Sequence, residues 1–400
     1  MKNVKLLKAK FIKINMNLNL LVCLFVFSSI IVLGCNNSGK NQAKNEEKPL
    51  SNAPSSPTAS GQQTNDYNLL LSQTLGTENL TNTCFANSVH KLIWGYLKEV
   101  KDKSHMPQST KFQQSFYKFI SDLDKKYDYL KNNSSQLMSV NKKDPFFATQ
   151  LNNLFDDLIA ELILKGGDGK LSGFSFRQDQ MDAEEYFTKL IDLLNLNNVI
   201  PAFTISSQIE LKNGMKLPVQ AESTKPGGIP DDIIYFPLNI ISKGDSFSQL
   251  FSKNLIAEID DFDVAGVPQK VTKKTYFTLK DMNKIPNKIV LGLKRFSQDL
   301  NGNLSKNKDK FTLDYELYVD FYSMDLKNNK DIAYLIRGAV VHYGNDLKGG
   351  HYITYLKMDD HTWYKHNDSH ISILETKAEL LAMERDIEEN GYLLLFMADM

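Results

Sequence analysis

The 400-residue chain reads as an α+β protein. Three observations carry that reading. Up to about residue 196, apolar residues recur at helical spacing. From about residue 200, short runs of Val, Ile, Tyr, Phe and Thr are separated by Gly, Pro, Asn and Asp. Hydrophobic residues make up 42% and charged residues 24%, enough apolar material for a packed core. A helical part followed by a strand-rich part defines the class. The composition excludes a disordered chain and a polytopic membrane protein, and no internal repeat is visible.

The first 34 residues have the form of a targeting segment. Lys2, Lys5, Lys8, Lys10 and Lys13 form a basic start without an acidic residue. An apolar run from Leu18 to Leu33 follows, broken only by Asn19, Ser28 and Ser29. It ends in Val32-Leu33-Gly34-Cys35, which resembles a bacterial lipobox. That resemblance implies cleavage before Cys35 and a lipid on its thiol. The run is short for a membrane span, which takes roughly 20 apolar residues. Removing the five lysines leaves 42 basic residues against 47 acidic, a net charge of −5. A mildly acidic chain without a basic stripe excludes nucleic acid as the expected partner.

Residues 35–66 are expected to be the lipidated cysteine and a flexible tether, rich in Asn, Ser, Lys, Pro, Gly and Gln. Residues 67–400 are expected to be the folded body. Within it, Phe85, Val89, Leu92, Ile93, Tyr96 and Leu97 form a first helical stripe. Phe112 to Leu130 carry a second, Leu151 to Leu162 a third, and Ala183 to Leu194 a fourth. The strand-like runs then follow: Ile233 to Ile240, Lys288 to Phe296, Tyr334 to Gly344, His351 to Met358 and Tyr392 to Ala398.

Cys23 leaves with the leader and Cys35 is taken by lipid, so Cys84 is the single remaining thiol. This excludes an internal disulfide and a four-cysteine metal site. A lone thiol is by default a small buried hydrophobe. Cys84, however, stands where a helical stripe begins, behind the polar Asn79-Leu80-Thr81-Asn82-Thr83. The positive end of the helix there favours a thiolate, the reactive form.

A thiol nucleophile needs a base, usually a distant histidine. His90, His105, His361, His366 and His370 have polar or charged neighbours and read as surface or structural residues. His342 and His351 bracket a glycine-bearing loop, and His351 opens an alternating strand behind Gly349 and Gly350. His351 is the candidate base, with glycines that would let a substrate backbone pass close by. Asn367 and Asp368, on the next expected strand, are the two candidates for orienting its ring.

Five segments resemble the ubiquitin-specific protease family of cysteine deubiquitinases. Residues 76–88 match its cysteine box, Gly-Leu-x-Asn-Leu-Gly-Asn-Thr-Cys-Tyr-x-Asn-Ser. Gln180 to Tyr186 match its glutamine box, and Leu291 to Phe296 its Leu-x-Leu-Lys-Arg-Phe strand. Gly350 to Tyr355 match the histidine box, Trp363 to Asp368 the final box, and the terminal Gly391 to Phe396 its closing strand. The resemblance spans residues 76–396 in the right order. It implies a papain-like fold with a helical thumb at about 76–196 and a β-rich fingers and palm region at about 197–400.

The same resemblance implies roles. Cys84 would be the nucleophile, His351 the base, and Asn367 the third member, with Asp368 assisting. Asn79 would donate its amide to the oxyanion hole. Asp182, Glu185 and Tyr352 would line the groove for a ubiquitin tail, although acids at a helix start also serve the macrodipole. No cofactor is implied. The family's two Cys-x-x-Cys pairs are absent, so the fingers cannot hold zinc in that way. Thr81 stands where the family has glycine, and a positive φ there would strain it. The expected activity is thiol hydrolysis after the tail of ubiquitin or a ubiquitin-like protein, of a host or otherwise. The alternatives are a papain-like envelope peptidase with another substrate and a silent tethered binding module.

Overall fold

The computed structural model describes residues 59–399 apart from 99, 101–105, 134–145, 166–169, 171–178, 199–200, 223–231, 241–242, 265, 299–303, 324–327, 348 and 359–360. The leader, Cys35 and most of the tether segment lie outside the described residues. Among the described residues, no helix is long and apolar enough to cross a membrane.

The four expected helical stripes are helices. They follow α1 (Ala59–Leu75) as α2 (Cys84–Leu97), α3 (Lys111–Asn133), α4 (Phe146–Leu164) and α5 (Ala183–Leu194). Helix α1 overlaps the last residues of the expected tether. Leu70, Leu71 and Leu75 are buried, and docking of that stripe carries the helix back through a polar stretch.

The expected strand runs are β3 (Tyr235–Asn239), β6 (Lys288–Lys294), β10 (Asn328–Asp346), β11 (Gly349–Lys357) and β14 (Gly391–Ala398). With them go β1 (Thr204–Leu211), β2 (Gln220–Ala221), β4 (Ile256–Val264), β5 (Val267–Thr278), β9 (Glu316–Ser323), β12 (Trp363–Asn367) and β13 (His370–Leu374) in one sheet. Its main path runs β13-β12-β11-β10-β9-β5-β1-β2, and β14 pairs with both β10 and β6. A separate short pair joins β7 (Phe296–Gln298) to β8 (Leu304–Lys306).

Two helices went unforeseen in the strand-rich part, α6 (Phe247–Asn254) and α7 (Lys377–Asn390). Each opens with a capping box, Ser246 with Gln249 and Thr376 with Glu379, a sequence-level start signal.

The central strands are covered on both faces, and their residues alternate between two cores. Val340, Tyr352, Leu356, Leu393 and Leu395 join α1 to α5 in one. Val341, Ile353, Tyr355, Leu394 and Phe396 join Phe247, Met383 and Ile387 of α6 and α7 in the other. Double burial explains why β14 is apolar at nearly every position. Helix α2 lies close against β11: a Cβ on Gly95 would sit 2.3 Å from Leu356 Cδ1, so glycine permits the approach. Thr354 Oγ1 donates to the Ser88 carbonyl at 2.9 Å, a polar tie across the same contact. At the sheet edge, the β13 N–H groups of Ile371 and Ile373 donate to Ser72 Oγ and Asn68 Oδ1 of α1. The edge is thereby closed to further strands.

Candidate active site

Cys84 is the first residue of α2 and is only 2% exposed. Strand β11 brings the Tyr352 N–H to its sulfur. Strand β12 pairs antiparallel with β11, Thr354 opposite His366. Extending that register sets Asn367 opposite Ile353, on the face that His351 shares, because strand side chains alternate. His351 Nε2 donates to Asn367 Oδ1 at 2.6 Å. That bond places the proton of the neutral ring on Nε2 and leaves Nδ1 as the basic nitrogen. Of the two neighbours, Asn367 is the one that bonds the ring.

Asp368 turns the other way. It closes the β12–β13 turn at φ 49°, and both its oxygens are taken by amides. Asn87 Nδ2 donates to Oδ1 at 2.7 Å and Asn79 Nδ2 to Oδ2 at 3.0 Å. The Thr77 N–H also donates to the Asp368 carbonyl at 3.0 Å. Burial raises the carboxyl pKa, while the two amides and the nearby His351 and His370 lower it; the net shift is upward.

The loop before Cys84 is built around Asn79. Its Oδ1 accepts from the Thr83 N–H at 2.9 Å, while Thr83 Oγ1 accepts from the Leu80 N–H at 2.9 Å. Inside that ring Thr81 and Asn82 have φ of 57° and 42°. The position that resembles a family glycine therefore does hold a β-branched residue in the left-handed region, at a cost of about 1–3 kcal/mol.

The thiol is not poised as a thiolate in this closed form. Burial pushes its pKa above the ordinary range and the Asp368 charge pushes the same way. N–H groups of Tyr352, Phe85 and Cys84 itself pull it down without reversing the sign. Placement at the helix start thus supplies directed N–H groups, as expected, but burial outweighs them. The contact with the Tyr352 N–H sets the sulfur one residue from His351.

The three expected groove residues divide. Asp182 is the N-cap of α5, accepting from the Glu184 and Glu185 N–H groups at 2.7 and 3.3 Å, and it also accepts from Tyr392 Oη at 2.5 Å. Its carboxylate serves the fold first. Burial, aided by Glu184, pushes it up to about 6. Glu185 is partly exposed and, through burial and the Asp182 and Glu184 charges, is pushed up to about 7. Tyr352 does not flank an open groove here. Its side chain is fully buried, with its ring 4.4 Å from His342 and 5.9 Å from Tyr392, because even positions of β11 face the α2 side.

The other histidines also resolve. His342 is buried and pushed down to about 4 by burial and Lys306, so it stays neutral and is no base at ordinary pH. Gly350, at φ +123°, lies against it: an added Cβ would meet Tyr343 O at 2.1 Å and His342 Nε2 at 2.7 Å. Glycine is needed there by the chain itself, before any substrate arrives. Of the surface or structural reading, His90 and His366 take the structural half: both are buried, packed against Phe119 and Trp94 respectively. Their flanking polar residues concealed this, since a helix or strand face is set by period and not by immediate neighbours. Among the described residues, no cluster of His, Cys, Asp and Glu could hold a metal ion.

A mixed sheet thus carries a histidine bonded to an asparagine, packed on a helix headed by a buried cysteine. The family model for ubiquitin carboxyl-terminal hydrolase matches residues 75–396. The chain belongs to that family.

Ubiquitin carboxyl-terminal hydrolase 8 of Saccharomyces cerevisiae is 32% identical over 123 residues, 29% of this chain and 24% of that protein. Ubiquitin carboxyl-terminal hydrolase 9 of Arabidopsis thaliana is 38% identical over 95 residues, 23% of this chain and 10% of that protein. The aligned part is thus at most a quarter of these two relatives' length. Among solved structures, the SAGA Ubp8/Sgf11/Sus1/Sgf73 DUB module bound to ubiquitin aldehyde has a TM-score of 0.57 at 20% identity, covering 82% of this chain and 70% of that chain. At that identity the likeness establishes the mixed α+β fold.

Proposed function

We propose that the chain is a cysteine deubiquitinase that hydrolyses the bond after the C-terminal tail of ubiquitin or a ubiquitin-like protein. The observation that carries this reading is the His351–Asn367 bond at 2.6 Å, beside a cysteine-headed helix in a chain of this family. Structures with this fold have been solved with ubiquitin aldehyde and with monoubiquitin, which supports ubiquitin as the partner class.

The chemistry follows from the residues. His351 Nδ1 takes the thiol proton as Cys84 Sγ attacks the carbonyl carbon of the tail's last residue. The carbonyl oxygen becomes an oxyanion, met by the N–H groups at the head of α2 and the second amide hydrogen of Asn79. One such donor is worth roughly 3 kcal/mol in the transition state. The proton on His351 passes to the leaving amine as the C–N bond breaks. Water then attacks the thioester, giving its proton to His351, and the thiol regains a proton as the acid leaves. The neutral Asn367 keeps the ring in one tautomer without adding charge.

Closure over Cys84 implies that substrate binding opens the groove. The substrate then replaces the burial that raises the thiol pKa. Lipidation at Cys35, supported by the leader pattern, would hold the domain at a bacterial envelope. There its target would be a host's ubiquitin or another flexible tail of the envelope.

The deciding experiment reacts residues 36–400 with ubiquitin bearing a thiol-reactive C-terminal warhead, alongside Cys84→Ala and His351→Ala. An adduct that needs both residues is expected. No adduct, with Cys84-dependent cleavage of a general peptide, would transfer the site to an envelope peptidase. Silence in both would leave a tethered binding module.

A further inference from the structure

We propose that Asn87 is a positioning residue for this reaction, clamping the Asp368 turn to the segment that carries Cys84. The inference rests on the thiol-hydrolase reading above and adds a residue to it.

Asn87 lies three positions after Cys84, on the same face of α2, and is 2% exposed. Its Nδ2 has two hydrogens and both are used: one to the Glu78 carbonyl at 3.0 Å, one to Asp368 Oδ1 at 2.7 Å. Its Oδ1 is buried without a hydrogen-bond partner among the described residues, so the side chain acts here purely as a double donor. The two acceptors belong to the segment between α1 and α2 that leads into the loop of Asn79, and to the turn after Asn367. One amide therefore joins the nucleophile's helix, the loop of Asn79 and the turn behind the residue that orients His351.

The charge on Asp368 depends on that amide. Cys84, His351 and His370 face the carboxylate, and Asn79 holds its other oxygen. Below it, Thr77, Ser88, Lys91 and His366 line a small void that Asn87 shares. Lys91 is itself occupied, donating to the Leu75 carbonyl at 2.6 Å. Without Asn87, a half-buried carboxylate would lose a direct donor, and the neutral acid would be favoured. An apolar side chain donates nothing there. An aspartate can serve only while the new pair shares a proton.

The test uses the full-length chain with Asn87→Leu and Asn87→Asp, measuring melting temperature, kcat and KM on a ubiquitin C-terminal amide, and alkylation of Cys84 by iodoacetamide against pH. For Asn87→Leu, kcat is expected to fall about 100-fold with KM changed less than about threefold, the signature of misplacement by about 1 Å. For Asn87→Asp, kcat should rise as pH falls from 8 to 6, where two carboxylates at this separation retain one proton. The alkylation profile of Asn87→Leu should extend to lower pH, because a neutral Asp368 no longer opposes the thiolate.

A folded Asn87→Leu with wild-type kcat overturns the proposal. So does an Asn87→Asp pH profile parallel to wild type, or loss of the melting transition in both variants at every pH, which would make Asn87 a stability residue only. If the wild-type chain itself leaves the ubiquitin amide uncut, the functional reading fails instead. The alkylation profiles then decide the clamp alone: a shift supports it and superimposed curves reject it.

Discussion

Around Cys84 the chain is held by short side-chain bonds between distant segments, whereas the β1–β2–β4–β5 end of the sheet adds exposed ion pairs to its backbone ladders. In the first region Asn79 and Asn87 reach Asp368 by hydrogen bonds of 3.0 and 2.7 Å across more than 280 residues of sequence, and Asn367 bonds His351 at 2.6 Å. In the second, Thr272 Oγ1 donates to Glu258 at 2.9 Å, while Lys270 lies 3.7 Å from Glu258 and 3.6 Å from the mostly exposed Asp260. Strand β4 is exposed along most of its length. The difference teaches where precision is required. Directed bonds of partly buried amides set atoms to within tenths of an ångström, while exposed ion pairs set only a register and are screened by salt.

Substitutions can break or sharpen this contrast. The largest effect should come from Asn367→Ala, which frees the His351 ring. A fall in kcat of about 100-fold or more, with KM little changed, is expected from steady-state kinetics. A wild-type rate would mean that the cleft does not depend on this bond.

Next comes Arg295→Ala. The guanidinium is fully buried and donates to the carbonyls of Gly391, Glu388, Asn307 and Asp309 at 2.7–3.2 Å. Removing it strands all four, and denaturant unfolding should show a loss of about 3 kcal/mol. A loss below about 1 kcal/mol would show that the β14 side of the core repairs itself.

Glu185→Gln tests the acids of α5. Glu185 has a folded pKa of about 7, raised above its ordinary value. The folded state therefore holds more protons than the unfolded state between pH 4.5 and 7. Its contribution to stability is complete below the lower value and is lost as pH rises through the upper one. The variant should melt above wild type at pH 7.5, with the gap closing by pH 4. A constant gap would remove the titration from the account.

Thr81→Gly should relieve the left-handed strain. The gain offsets the greater freedom of glycine in the unfolded chain, leaving a stabilisation of at most about 1 kcal/mol by thermal melting. Destabilisation would show that the threonine hydroxyl, which donates to the Leu80 carbonyl at 2.5 Å, outweighs the backbone strain.

The smallest effect belongs to Glu258→Ala at the far end of the sheet. A change within about 0.5 kcal/mol, vanishing in high salt, is expected from melting curves at two ionic strengths. A loss of several degrees in both would place this end in the same class as the cleft.

Local patterns made much of this molecule legible. Four helices followed from their apolar stripes, because a docked helix face must recur at 3.6 residues. Five strand runs followed from composition and turn residues. Helices α6 and α7 were signalled only by Ser246 with Gln249 and Thr376 with Glu379, short polar cues inside strand-rich text. His90 and His366 read as surface or structural, and what packs on their faces decides for the structural half. Asn87 was visible within the cysteine box, but nothing in one dimension says what its amide reaches.

By itself the sequence nominated residues for the chemistry: a cysteine at a helix start, a histidine opening a strand, and an amide beside an acid on the next strand. The order and types of side chains suffice for that, since they define both the family and the reaction class. Only the tertiary structure decided which neighbour serves which purpose. Asn367 bonds His351 because the β11–β12 register puts both on one face, and Asp368, turned away at φ 49°, ties the loop before Cys84 instead. Register and a turn's handedness arise from contacts hundreds of residues apart, so no local pattern encodes them.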